Sequence, residues 1–166
     1  MATITVKGTP FHTIGELPPK GSKAPDFRLT KNDMSDVSLR DYAGKKKILN
    51  IVTSLDTRTC ATSAKKFEQE AAKLDNVVVL TISRDLPFAS SRFCQDAGIE
   101  NVITLSQLRD DSFGKDYGVT FVDGPVEGLL SRSIVVLDEG ESVLYTQQVP
   151  ENSHEPDYDA ALKAVQ

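Results

Sequence analysis

Tryptophan is absent from this sequence of 166 residues, cysteine and histidine occur twice each, and basic residues are outnumbered by acidic ones. Each shortage closes off a class of function. Lys and Arg total 19 against 24 Asp and Glu, a net charge of −5, so neither nucleic acid nor a membrane surface is an expected partner. No apolar run nears the ~18 residues of a membrane span. The opening MATITVKGTP lacks the charged and then apolar stretches of a secretory signal, so a cytoplasmic location is expected. His12 and His154 lie far apart with no helical metal spacing near either cysteine; both are expected at the surface, and no metal site is expected. The one basic run, Lys45 to Lys47, reads as a solvated turn. Two cysteines in a reducing compartment leave three readings open: catalysis, redox sensing or plain burial.

What is present suits one domain spanning residues 1–166. A composition of 39% hydrophobic and 26% charged residues, without repeats or low-complexity tracts, excludes disorder and solenoids. Thr3 to Val6 alternates polar and apolar residues, meets Gly8 and Pro10, and continues into Phe11 to Ile14, which predicts a hairpin and makes residues 1–17 an N-terminal extension. Ala24 to Leu29 reads as a further short strand. Lys47 to Val52 and Val77 to Ile82 are compact, β-branched runs of the kind covered on both faces. Between them Cys60, Ala64, Phe67, Ala71 and Leu74 recur at steps of four and three, the stripe of a core-facing helix. Leu86-Pro87 opens a second helix that carries Cys94 and ends at Gly98. Asn101 to Leu105 reads as a strand and Asp110 to Tyr117 as a short helix. Ser133 to Leu137 with Val143 to Val149 forms a hairpin turning at Glu139-Gly140, and a last helix begins at Glu155-Pro156-Asp157. The order predicts an α/β protein with a mixed central sheet flanked by helices, which a thioredoxin-like fold fits.

The segment richest in chemistry is Ser54 to Cys60 (SLDTRTC), which joins a buried strand to the first turn of a helix. Unpaired N–H groups and the helix dipole favour a thiolate there, lowering a cysteine pKa from about 8.5 by one to several units. Thr57, three residues before Cys60, can point its hydroxyl at the sulfur and at a reacting oxygen, and Arg58 and Arg132 are candidate cations for the same pocket. Cys60 alone would pass for a small buried hydrophobe; its place at a helix start beside a threonine and an arginine turns the reading to reactivity. Cys94 alone reads as buried, and Arg132 alone as a surface or ion-pair residue. The cysteines lie 94 − 60 = 34 residues apart, which excludes the Cys-x-x-Cys pattern of a disulfide reductase.

Several segments together resemble the peroxiredoxins, and among them the bacterial thiol peroxidases of the atypical two-cysteine kind, over nearly the whole chain. They are Gly21 to Pro25 with Phe27, Ser54 to Cys60, Asp85 to Ala89 with Ser91 to Cys94, Asn101 to Ser106, Tyr117 to Val119, and Glu155 to Tyr158. The resemblance implies that Cys60 is the peroxidatic cysteine, Cys94 the resolving one, Thr57 the threonine of the active-site motif and Arg132 the arginine of the pocket. It further implies a hydroperoxide substrate, an intramolecular Cys60–Cys94 disulfide, thioredoxin as reductant, a homodimer, and no metal or organic cofactor. One position departs from the family motif Pro-x-x-x-Thr-x-x-Cys: Thr53 stands where the proline is found. Bridged cysteines need α-carbons within about 4.4 to 6.8 Å. Two cysteines on successive helices are not expected to meet that limit, so oxidation is expected to melt the first turn of the Cys60 helix, the Cys94 helix, or both, with the Cys94 segment the weaker of the two.

Overall fold

The computed structural model describes residues 1–166. An N-terminal hairpin pairs β1 (Thr3–Val6) with β2 (Thr9–His12) around Lys7 and Gly8, both with positive φ; Pro10 lies inside β2, which has no other strand beside it. The main sheet comprises β3 (Leu29–Lys31), β4 (Asp36–Val37), β5 (Lys46–Ile51), β6 (Val77–Ser83), β7 (Ile103–Ser106), β8 (Ser133–Leu137) and β9 (Val143–Gln148). Its seven strands run in the order β4-β3-β7-β6-β5-β8-β9. β5, β6 and β7 are mutually parallel and the outer pairings antiparallel, so the sheet is mixed as expected. The parallel crossovers are supplied by α1 (Arg58–Ala71) and α2 (Pro87–Ala97); α3 (Ser112–Asp116) and α4 (Tyr158–Ala164) follow.

The period of two along the central strands divides the core. Leu49, Ile51, Leu80, Ile82, Val135 and Leu137 meet Phe113 and Tyr117 of the α3 region and the Ala24, Phe27 and Leu39 side chains on one face. Ile48, Val79, Ile134 and Val136 meet Phe67 of α1 and Ala161 of α4 on the other, with Phe93 and Cys94 of α2 packed alongside. Each fully buried Leu or Ile contributes roughly 1.5–3 kcal/mol, so this two-faced burial fixes the register of β5 and β6 more firmly than any single hydrogen bond.

Two expectations need correction. Ala24 to Leu29 is not a strand: Ala24 and Phe27 are buried, but ladder pairing begins only at Leu29, and Pro25 offers no N–H to a neighbour. Nor is Lys45 to Lys47 a solvated turn. Lys46 and Lys47 open β5, and Lys47 sits fully buried on the face of Leu49 and Ile51, its Nζ without a hydrogen-bond partner and its ammonium pKa pushed down by burial.

Candidate active site

Cys60 lies in the first turn of α1, beyond the carboxyl end of β5, where α/β sheets commonly place ligand sites. The turn is set by Thr57, the N-cap, whose hydroxyl accepts the Cys60 N–H at 3.3 Å and donates to the Ser54 carbonyl at 3.0 Å. The Thr57 hydroxyl therefore shapes the helix start, and its one proton is directed to a backbone oxygen. Asp85 ties the same loop to the end of β6: its carboxylate accepts from the Ser54 hydroxyl at 2.7 Å, the Leu55 N–H at 2.8 Å and the Ser83 hydroxyl at 2.8 Å.

Cys60 is wholly buried with Val52, Leu55 and Ala64, and Phe93 of α2 packs against this group. Its sulfur has one charged partner. Arg132, 2% exposed and not the surface residue its isolated position suggested, places Nη2 3.0 Å from Cys60 Sγ. Its Nε donates to the Asn152 carbonyl at 2.9 Å, while Nη1 is buried with no partner, a free donor on the same guanidinium. Arg58, the other candidate cation, lies instead with Thr59, Thr62, Ser153, His154 and Glu155 around a polar surface hollow of ≈ 360 Å³. His154 is exposed there, and His12, part-exposed, pairs with Asp123 at 2.6 Å.

Cys94 rides on α2 in a different setting. It is half-buried, at 3.9 Å from Asn32 Nδ2 and 3.7 Å from the Thr104 hydroxyl, on the edge of a ≈ 310 Å³ cavity. Burial pushes its thiol up; the bonds from Thr104 and Asn32 only partly oppose this, and the Glu68 carboxylate adds to it. Both cysteines are free thiols, each with its own partners. No cluster of His, Cys, Asp and Glu is placed to hold a metal ion.

Cys60 and Arg132 are thus brought together, Thr57 sits one hydrogen bond away as the cap, and Cys94 stands apart. Sequence reasoning did not find Asn152, Asp85, Asn32 or Thr104. Asp85, in the Asp-Leu-Pro run before α2, carried a local signal as a helix-entry residue; Asn152 carried none.

A buried cysteine at a helix start beside a buried arginine, with a second thiol on the next helix, is an arrangement that can be compared with known proteins. The Redoxin family model matches residues 19–162. A thiol peroxidase of Leptospira interrogans is 49% identical over 99% of this chain and 98% of its own, and a thiol peroxidase of Mycobacterium bovis is 50% identical over 99% of each. The crystal structure of a peroxiredoxin-like protein from Aquifex aeolicus superposes with a TM-score of 0.94 at 34% identity, covering 99% of this chain and 96% of that one. Sequence and fold agree along almost the full length, and the chain belongs to the Redoxin family as a peroxiredoxin enzyme of the bacterial thiol peroxidase type.

Proposed function

We propose that the protein reduces hydrogen peroxide and organic hydroperoxides through Cys60, with Cys94 as resolving cysteine and thioredoxin as reductant. The whole chain acts as one domain, with residues 1–17 as its extension, in a cytoplasmic homodimer. The observation that carries the reading is the Arg132 guanidinium 3.0 Å from the Cys60 sulfur at a helix start. A fixed cation there faces the charge of the reacting sulfur and remains in place when negative charge moves to oxygen.

The Cys60 thiolate attacks one peroxide oxygen. The O–O bond breaks, and its electron pair leaves on the distal oxygen, which takes up a proton and departs as water or alcohol. Arg132 Nη1, which has no other partner, is the donor available to that developing charge. Cys60 is left as a sulfenic acid. The Cys94 thiol then attacks the Cys60 sulfur, water leaves, and the disulfide is reduced by two electrons from a dithiol, for which the strongly reducing thioredoxin couple, at about −270 mV, is suited. Neither metal nor organic cofactor enters these steps. Because Cys60 is wholly buried, its cover has to shift for substrate to arrive. Phe93 both packs on the Cys60 group and lines a ≈ 620 Å³ hollow with Asp56, Phe88, Ala89, Arg92 and Asp96, so it is the side chain placed to move.

Peroxide consumption coupled to thioredoxin, thioredoxin reductase and NADPH tests the proposal, with hydrogen peroxide and an alkyl hydroperoxide supplied separately. Sustained NADPH oxidation with both is expected. Consumption of a single equivalent followed by arrest would point instead to a redox sensor on the same scaffold.

A further inference from the structure

Thr53, at the position where the family motif has proline, lies two residues beyond the end of β5 and is 7% exposed. Both bonding capacities of its hydroxyl are taken: it donates to the Leu130 carbonyl at 2.8 Å and accepts from Asn152 Nδ2 at 2.8 Å. Asn152, 6% exposed, turns its remaining groups on Arg132, with Oδ1 accepting the Arg132 backbone N–H at 2.7 Å and its carbonyl accepting Nε at 2.9 Å. From the far side Asn152 N–H donates to the Thr5 carbonyl at 2.8 Å. The neighbouring Glu151 carboxylate holds the N-terminal hairpin through the Thr5 hydroxyl at 2.6 Å and the Lys7 and Gly8 N–H groups at 2.8 and 3.0 Å. A continuous path of hydrogen bonds therefore runs from Thr53 in the loop after β5, and from the hairpin, through Asn152 to the guanidinium at the sulfur.

An arginine has several rotatable bonds but a rigid terminal fork, so fixing Nε and the backbone fixes where its Nη atoms point. Proline at position 53 would have no hydroxyl, leaving Asn152 Nδ2 and the Leu130 carbonyl without this shared partner.

We propose that Thr53 is a positioning residue. Through Asn152 it aims the Arg132 guanidinium at the Cys60 sulfur, in place of whatever the motif proline contributes. The proposal rests on the role given to Arg132 above. Thr53 acts at one remove, since its hydroxyl bonds are to Leu130 and Asn152 and not to the sulfur.

The test uses the full chain in a Cys94→Ser background, so that only Cys60 reacts. Thr53→Val, Thr53→Ser and Arg132→Ala are compared by the pH profile of iodoacetamide alkylation and by the second-order rate of Cys60 oxidation with hydrogen peroxide. Thr53→Val is expected to slow oxidation about tenfold, the scale of a small misplacement of a reacting-site group. Its alkylation profile should move to higher pH, in the direction set by Arg132→Ala, and Thr53→Ser, which keeps the hydroxyl, should recover most of both effects. A Thr53→Val profile and rate that superimpose on the parent's, while Arg132→Ala shifts both, overturn the proposal and leave the reading of Arg132 standing. If Arg132→Ala moves neither, the reading of Arg132 itself fails and takes the positioning role with it. Should Thr53→Val not fold by far-ultraviolet circular dichroism, Asn152→Ala carries the same comparison, and a profile superimposed on the parent's overturns the proposal equally.

Discussion

The two cysteine-bearing helices follow parallel strands in the same sheet, yet they are built to opposite ends. α1 buries Cys60, Ser63, Ala64 and Phe67 and begins on a side-chain cap from Thr57. α2 buries only Pro87 and Ser90, has no side-chain cap, leaves the Ser90 hydroxyl without a partner, and exposes Phe88 at its start. The thiols differ in the same way. Cys60 is sealed beside a guanidinium, whereas Cys94 has a hydroxyl and an amide for company and burial pushes its thiol up. The same side-chain type is placed against a cation in the first setting and against neutral partners in the second, and on the proposed mechanism this difference of environment separates the nucleophile from the thiol held in reserve.

Exchanging each thiol in turn is the hardest blow to this comparison. Cys60→Ser is expected to abolish turnover, because a serine hydroxyl is almost wholly protonated at neutral pH. Cys94→Ser should keep the first reaction with peroxide, lose thioredoxin-linked turnover, and let sulfenic and then over-oxidised Cys60 accumulate, as mass spectrometry would show. Equal losses of the first reaction in both variants would erase the distinction between the sites.

Alkylation sharpens it further. In Cys60→Ser only Cys94 can react, and its folded-state pKa lies above the ordinary 9.0. Reaction with iodoacetamide should therefore stay slow at neutral pH and rise only in the alkaline range, more than about tenfold per site below what a thiol of pKa near 8 gives at pH 7. The sign follows from burial: folding retains the neutral thiol, so the group costs no stability below the pKa of an unfolded cysteine, and stability is lost as pH rises through that value toward the raised folded one, because the unfolded chain ionises first. Replacing Asn32 or Thr104 by alanine removes a bond that favours the thiolate and should move the rise to still higher pH.

How far these sites could be read from sequence depends on how local their causes are. The strands β5, β6 and β8 announce themselves through compact β-branched runs, and the Cys60 turn through seven contiguous residues, Ser54 to Cys60. Lys47 is legible as the head of a strand but not as a buried residue, because a lysine reports exposure and only the pleat shows that it shares a face with Leu49 and Ile51. Arg132 reaches Cys60 across 72 residues, and Asn152 reaches Thr53 across 99, so no window along the chain holds either pairing. Family resemblance supplied Arg132; Asn152 required the fold. The N-terminal hairpin looked like an ornament for the same reason, since its bonds to Glu151 and Asn152 span some 140 residues.

The smallest expected effect concerns motion. The proposed disulfide requires Cys94 to leave Asn32 and Thr104, and the segment that carries it is fastened at both flanks rather than along its length. On the upstream side Asp85 binds Ser54, Leu55 and Ser83. On the downstream side Glu68 of α1 accepts the N–H groups of Glu100, Asn101 and Val102, each at 2.8 Å. Burial opposes ionisation of Glu68, but the donors from Asn101, Glu100 and Val102 outweigh it and hold its carboxyl below the usual range. Between the clamps, Pro87–Ala97 buries only Pro87 and Ser90, against the four buried residues of α1, and so has less burial to lose than the other cysteine-bearing helix. On oxidation the amides of that stretch should lose about an order of magnitude or more of hydrogen-exchange protection. The Leu55, Asn101 and Val102 amides, which donate to the clamps, should keep theirs. Glu68→Gln should let the opening spread into residues 100–102 without changing the peroxide reaction of reduced Cys60. Protection that is unchanged across α2 on oxidation, or lost first in α1, would show that the two helices yield in the opposite order.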